Sequence, residues 1–278
     1  MEGVTRMFKK TDLLEDLCAL GVPRDRPVLV HSSLRAVGDV EGGGRTLLDA
    51  LIEHITAEGG LCCFPTHTWH LIGQDVPTLD LTKNESCVGM LTRLALADGR
   101  GVRTLNPTHS MVVFGEPSRV ALFVSGEEEQ MTHTAASGCY GKLFSEDGFV
   151  LLLGVSQKAN TYLHCVEEML GVAGRLTDEP IDVSVRYPSG EVVHRHVYTF
   201  DEEKNGDVSL YFPKFDPAFR VHGCIRDGRI GDAPTELCSA RGMKRVMEMI
   251  YTRADGHELL DNDEPLDPAL YEMKGEST

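Results

Sequence analysis

Apolar residues recur at helical spacing over residues 11–20, where Leu13, Leu14, Leu17 and Leu20 share one face. The short apolar run 27–31 then reads as a buried strand that ends in polar residues. A second helix follows over 45–55, striped by Leu47, Leu48, Leu51, Ile52 and Ile55. Residues 60–65 predict another strand, 89–97 a helix, 111–115 a strand and 149–154 a central strand. A helix is predicted over 160–170. Period-two alternation over 181–200, broken by Pro188-Ser189-Gly190, predicts an antiparallel hairpin. A closing helix is predicted over 237–251, and an acidic, loosely packed tail over 256–278. Helices and strands alternate up to residue 170, so the fold class is α/β. It has a mixed central β-sheet flanked by helices and an antiparallel hairpin extension.

The chain has 278 residues, enough for a sizeable core, and reads as one domain. Composition excludes disorder, collagen and coiled coil, because 41% of residues are hydrophobic and 25% charged. No apolar run is long enough to span a membrane, and the start has no signal-peptide core. Eight cysteines without a C-x-x-C spacing read as free thiols in a reducing cytoplasm. Net charge is −16, which excludes nucleic acid or an anionic membrane as the main partner. Residues 1–120 carry −3 and residues 121–278 carry −13. The second half therefore suits a cationic ligand, or is simply a solubilising surface.

Three segments carry chemistry. The first runs from His31, Ser32 and Ser33 through Arg35 to Gly42, Gly43 and Gly44, between a strand and a helix. Its glycines let backbone N–H groups approach a ligand, and a helix N-terminus behind them favours an anion. The same residues also suit a tight loop that caps a helix. They match neither a Walker A loop nor a Rossmann fingerprint. In the second segment, Asn160 is the expected helix N-cap, and Thr161, His164 and Glu167 or Glu168 share one helical face. A histidine held by a carboxylate is a general-base candidate, against the plain alternative of an exposed helical ion pair. The third is an echo, Pro65-Thr66-His67 and Pro107-Thr108-His109, each beside a strand. If both loops lie at strand ends, they line one cleft. His67 and His70 have a metal-like spacing, but no zinc motif surrounds them and no metal is expected.

The ordered set Val30-His-Ser-Ser-Leu34, Val40-Glu-Gly-Gly43, Pro65-Thr-His67, Asn106-Pro-Thr-His-Ser110, Leu151-Leu-Leu-Gly154, Thr161-x-x-His164-x-x-Glu167 and Gly228-Arg-Ile-Gly231 resembles the aminoglycoside 3-N-acetyltransferase family over roughly residues 10–250. The resemblance implies transfer of the acetyl group of acetyl-CoA to the 3-amino group of a 2-deoxystreptamine antibiotic. Direct transfer in a ternary complex, giving resistance, is the expected mechanism. The alternative within the family is another small amine as acceptor, and a catalytically silent CoA- or metal-binding protein is the reading outside it. By resemblance, His31, Ser32, Ser33, Leu34, Arg35, Val37, Val40, Gly42, Gly43, Thr108, His109 and Ser110 belong to the CoA region. His164 is the base and Glu167 the matching glutamate, while helical geometry also permits Glu168. Thr161 and Ser110 are candidates for stabilising the oxyanion. Trp69, Asp147, Glu168 and Asp216 are candidates for the acceptor site. On this reading residues 1–120 mainly hold CoA, residues 121–255 hold catalysis and the acceptor, and the protein is a cytoplasmic monomer or homodimer.

Overall fold

The computed structural model describes residues 6–75, 77–83, 86–255 and 259–272. Ten strands are present among them: β1 (Pro27–Ser32), β2 (Leu61–Pro65), β3 (Thr78–Asp80), β4 (Val102–Arg103), β5 (Met111–Phe114), β6 (Phe149–Leu153), β7 (Ile181–Arg186), β8 (Val192–Val197), β9 (Ile225–Ile230) and β10 (Ala233–Ser239). Seven form a central sheet in the order β4-β5-β2-β1-β6-β10-β9. Its middle, β2-β1-β6, is parallel, and both flanks are antiparallel. The expected hairpin β7–β8 joins β3 in a separate three-stranded sheet.

The central strands are buried on both faces, as continuous apolar runs require. Alternate residues point to opposite sides, which divides the interior into two cores. Val28, Val30, Cys62, Phe64, Leu151 and Leu153 face helices α1 (Lys10–Leu20), α2 (Gly44–Thr56) and α3 (Met90–Ala97). Leu29, Cys63, Val150 and Leu152 face α4 (Pro117–Val124), α5 (Cys139–Ser145) and α6 (Tyr162–Leu170). The acidic turn α7 (Glu202–Asn205) follows, and α8 (Asp216–Val221) and α9 (Ala240–Arg253) complete the second face. Among the described residues no helix is long and apolar enough to cross a membrane.

Three expectations are corrected. The segment 237–251 is not one helix. Leu237, Cys238 and Ser239 finish β10, and α9 begins at Ala240, capped by the Ser239 hydroxyl accepting from Gly242 N at 3.1 Å. Asn160 does not cap α6; its amide is buried and donates to Gln157 Oε1 at 2.8 Å, and Thr161 takes the N-cap position. Of the acidic tail, residues 256–258 and 273–278 lie outside the described residues. The remainder is packed rather than loose: Leu260 and Leu266 are buried, and Lys214 Nζ donates to Leu259 O at 2.8 Å.

Candidate active site

The C-terminal ends of β1, β2 and β6 open on one side of the sheet, the usual place for a ligand in α/β folds. A cleft of about 1210 Å³ lies there, lined by His31, Ser32, His67, Trp69, Thr108, His109, Thr161 and His164, among others. β5 runs antiparallel to β2, so its start comes to the same end. The two Pro-Thr-His loops therefore meet. Thr66 N donates to Ser110 O at 2.7 Å and Thr68 N to Thr108 O at 2.8 Å. Asn106 sets the second loop: its Oδ1 accepts from His109 N at 2.8 Å and Thr108 N at 3.1 Å, while Nδ2 donates to His133 O at 3.1 Å.

His164 stands one turn into α6, whose end is fixed by Gly171 at φ 65. Its Nδ1 is 3.4 Å from Glu167 Oε2, within ion-pair range though not aligned as a hydrogen bond. Both atoms are buried and have no other partner. The other carboxylate oxygen, Oε1, accepts from Arg175 Nε at 2.7 Å, and both side chains of that pair are buried. His164 keeps 13% of its side-chain surface, none of it at Nδ1. With Nδ1 protonated toward Glu167, the free lone pair sits on Nε2, the geometry of a general base.

Aromatic rings connect the cleft wall. His67 and His109 lie 4.5 Å apart between centroids, His109 and His133 4.6 Å, and Phe200 stands 3.9 Å from His133 and 4.1 Å from His164. Burial holds His31, His67, His109 and His133 neutral. His31 and His133 are each pushed down to about 3 by burial. His67 and His109 lie well below the ordinary imidazole value, first by burial and then by neighbouring histidines. His67 Nε2 pairs with the Tyr140 hydroxyl at 2.8 Å. His133 Nδ1 lies 3.4 Å from Tyr198 O and therefore carries the proton, which leaves Nε2 as a buried acceptor without a partner.

The sequence-predicted residues separate into two groups. His31, Ser32, Trp69, Thr108, His109, Thr161 and His164 come together on the cleft. Ser33, Leu34, Arg35, Val37, Val40, Gly42 and Gly43 do not line it. Val37 is core, Val40 pairs with Phe8, and Gly43 caps α2 at φ 67. The start of α2 packs against α3 instead. A Cβ at Gly44 would touch Leu34 and also Leu94 of α3, and the N-cap of α3, Gly89 at φ 55, is a cleft residue beside Ser32. Ser110 is fully buried and shares its hydroxyl with Thr66 and Arg103, so it is not free to stabilise an oxyanion. Glu168 turns away from the cleft and accepts from Thr132 and Thr134. Asp147 precedes β6 and Val155 follows it, so Asp147 lies at the opposite end of the sheet, paired with Arg26 and Arg241. Asp216 is held by Arg220 at 2.8 Å, outside the cleft lining.

Other cleft residues were not foreseen. Asp201, Glu202, Glu203 and Asp207 form an acidic lip, opposed among the charged lining residues by Lys158 alone. Composition did not single them out from the other acids of the second half. His133 had a usable signal: Thr66-His67-Thr68 recurs as Thr132-His133-Thr134. Both members of the metal-like pair, His67 and His70, line the cleft, and His67 is bound to the Tyr140 hydroxyl. No group of three or more metal-ligating side chains converges among the described residues.

The family model described as aminoglycoside 3-N-acetyltransferase matches residues 29–252. Aminoglycoside N(3)-acetyltransferase VII of Streptomyces paromomycinus is 28% identical over 259 residues, covering 84% of this chain and 87% of the relative. Two solved structures share the fold. AAC-IIIb in a binary complex with CoASH superposes with a TM-score of 0.75 at 23% identity, covering 89% of this chain and 98% of that one. A mutant of AAC(3)-IVa in complex with gentamicin superposes with a TM-score of 0.76 at 22% identity, covering 91% and 92%.

Proposed function

This chain belongs to the aminoglycoside 3-N-acetyltransferase family, and from that membership we propose that it moves the acetyl group of acetyl-CoA to the 3-amino group of a 2-deoxystreptamine aminoglycoside. The observation that carries the reading is the buried Glu167 carboxylate facing His164 Nδ1 at 3.4 Å, with the ring's other edge left to the cleft. The cleft volume exceeds the ~300–1,000 Å³ of an ordinary single-ligand pocket, so two substrates fit side by side. We read the chain as one catalytic unit, since cleft residues come from both its halves.

Acetyl-CoA fits the end formed by His31, Ser32, Gly89 and Thr92. The N-terminus of α3 lies there and favours its anionic groups. His31 Nε2 is buried there without a partner, a spare polar atom of the kind a ligand satisfies. The bound thioester supplies the acetyl group. The acidic lip Asp201, Glu202, Glu203 and Asp207 attracts the polycationic acceptor and orients its amines. His164 Nε2 removes the proton from the amine as its nitrogen bonds to the thioester carbonyl carbon, and Glu167 stabilises the imidazolium that forms; the C–S bond then breaks and the departing CoA thiolate takes the proton from His164. The Thr161 hydroxyl, one turn before His164 on the cleft wall, is the side-chain donor for the developing oxyanion.

The test is release of free CoA thiol from acetyl-CoA against gentamicin, neomycin and simple amines, with the product position read by NMR. Acetylation of the 3-amino group is the expected result. Turnover of other amines alone would move the protein to a different acceptor class, and no turnover with any amine would overturn the catalytic reading.

A further inference from the structure

Glu167 is wholly buried, and its two oxygens have different partners: Oε1 accepts from Arg175 Nε at 2.7 Å, and Oε2 faces His164 Nδ1 at 3.4 Å. A buried carboxylate bound only to an imidazole can rotate about its last torsion and offer either oxygen. Arg175 removes that freedom. It comes from the loop after α6, eight residues beyond Glu167, so nothing in the helix itself imposes the pairing. The same loop anchors the acidic lip: Asp201 N donates to Arg175 O at 3.1 Å, and Asn205 Nδ2 to Gly174 O at 2.7 Å.

We propose that Arg175 is a positioning residue for the catalytic base. It holds Glu167 Oε1 so that Oε2 is presented to His164, which fixes the imidazole in the tautomer with its proton on Nδ1 and its lone pair on Nε2. Arg175 touches no substrate in this role; it acts through Glu167. The catalytic part of the inference rests on the acetyl-transfer reading, whereas the tautomer part does not.

Long-range ¹H–¹⁵N spectra of the histidine rings, with His164 assigned by loss of its signal in His164→Ala, read the tautomer without any substrate. Wild type should give a single Nδ1–H form. Arg175→Met should give a mixture, with kcat for gentamicin acetylation down at least tenfold and the KM for acetyl-CoA within about twofold. Arg175→Met also strips a buried ion pair, so Arg175→Lys is measured alongside it. Lysine keeps the buried charge but is a point donor without the rigid guanidinium fork, and it should show partial mixing and a severalfold loss of kcat. Glu202→Gln with Glu203→Gln, which alters only the exposed rim of the lip, should raise the gentamicin KM and leave the tautomer unchanged. A wild-type tautomer in every folded Arg175 variant would overturn the proposal. So would an unchanged kcat in Arg175→Lys. Absence of turnover in wild type would instead overturn the acetyl-transfer reading and leave the tautomer result to decide the role of Arg175.

Discussion

Thr132 donates its hydroxyl to Glu168 at 2.5 Å, and Thr134 adds both its hydroxyl and its backbone N–H to the same carboxylate. Glu168 is thus the clamp of the loop that carries His133, while its neighbour Glu167 turns to His164. Burial raises Glu168 above the usual carboxylate range, and the three threonine hydrogen bonds oppose that shift. Glu168→Ala leaves three donors without their acceptor, and we expect it to cost about 2–3 kcal/mol of stability. Urea unfolding measures this directly. Full wild-type stability would show that the clamp contributes nothing.

The division of labour between the two glutamates predicts opposite phenotypes. Glu167→Gln replaces the carboxylate that stabilises the imidazolium, so kcat should fall about 10²-fold, and His164→Ala should lower it about 10²–10⁴-fold. Acetyl-CoA binding by His164→Ala, measured calorimetrically, should stay close to wild type. A His164→Ala enzyme with near-normal kcat would remove the base from the mechanism.

The acidic lip makes a prediction that the total charge did not. Glu202 and Glu203 are exposed and sit on the cleft rim. Glu202→Gln with Glu203→Gln should raise the KM for gentamicin severalfold while kcat changes little. It should also flatten the dependence of kcat/KM on ionic strength, because exposed charges act mainly by steering the acceptor. Asp147→Asn, at the far end of the sheet, serves as the control and should leave that KM alone. An unaltered salt dependence in the double variant would show that the lip does not receive the acceptor.

The parts of this molecule that were legible in the sequence are those with local periodicity. The apolar runs of β1, β2, β5 and β6 and the i,i+3 relation of His164 to Glu167 each fall within one element, so spacing alone locates them. The paired Pro-Thr-His loops were legible for a different reason: the same tripeptide closes β2 and precedes its antiparallel neighbour β5, and Thr66 and Ser110 lock them together. β9 escaped detection because Arg226, Asp227 and Arg229 dilute its apolar pattern at the sheet edge. Arg175 escaped because a loop, not a repeat, brings it to Glu167. The choice of Asp147 and Asp216 as acceptor ligands failed because composition carries no direction. One lies at the wrong end of β6, and the other is already held by Arg220.

The neutral histidines around the cleft fix the sign of the pH dependence of stability. In the unfolded chain each imidazole takes up a proton near pH 6.5. In the folded protein burial holds His31 and His133 down to about 3, and His67 and His109 lie well below the ordinary value. Between those limits the unfolded state binds more protons, so stability rises with pH and is lost as pH falls from about 6.5 toward 3. Each such histidine contributes a slope of about 1.4 kcal/mol per pH unit within the window. Urea midpoints measured from about pH 7 down to about pH 5 should therefore fall steeply, before carboxylate protonation becomes important. His133→Gln removes one titrating ring and should make the slope shallower by about one proton's worth, whatever it does to the midpoint at neutral pH. A flat profile over this range would show that these imidazoles are protonated in the folded state, and with it the neutral cleft wall described above would be wrong.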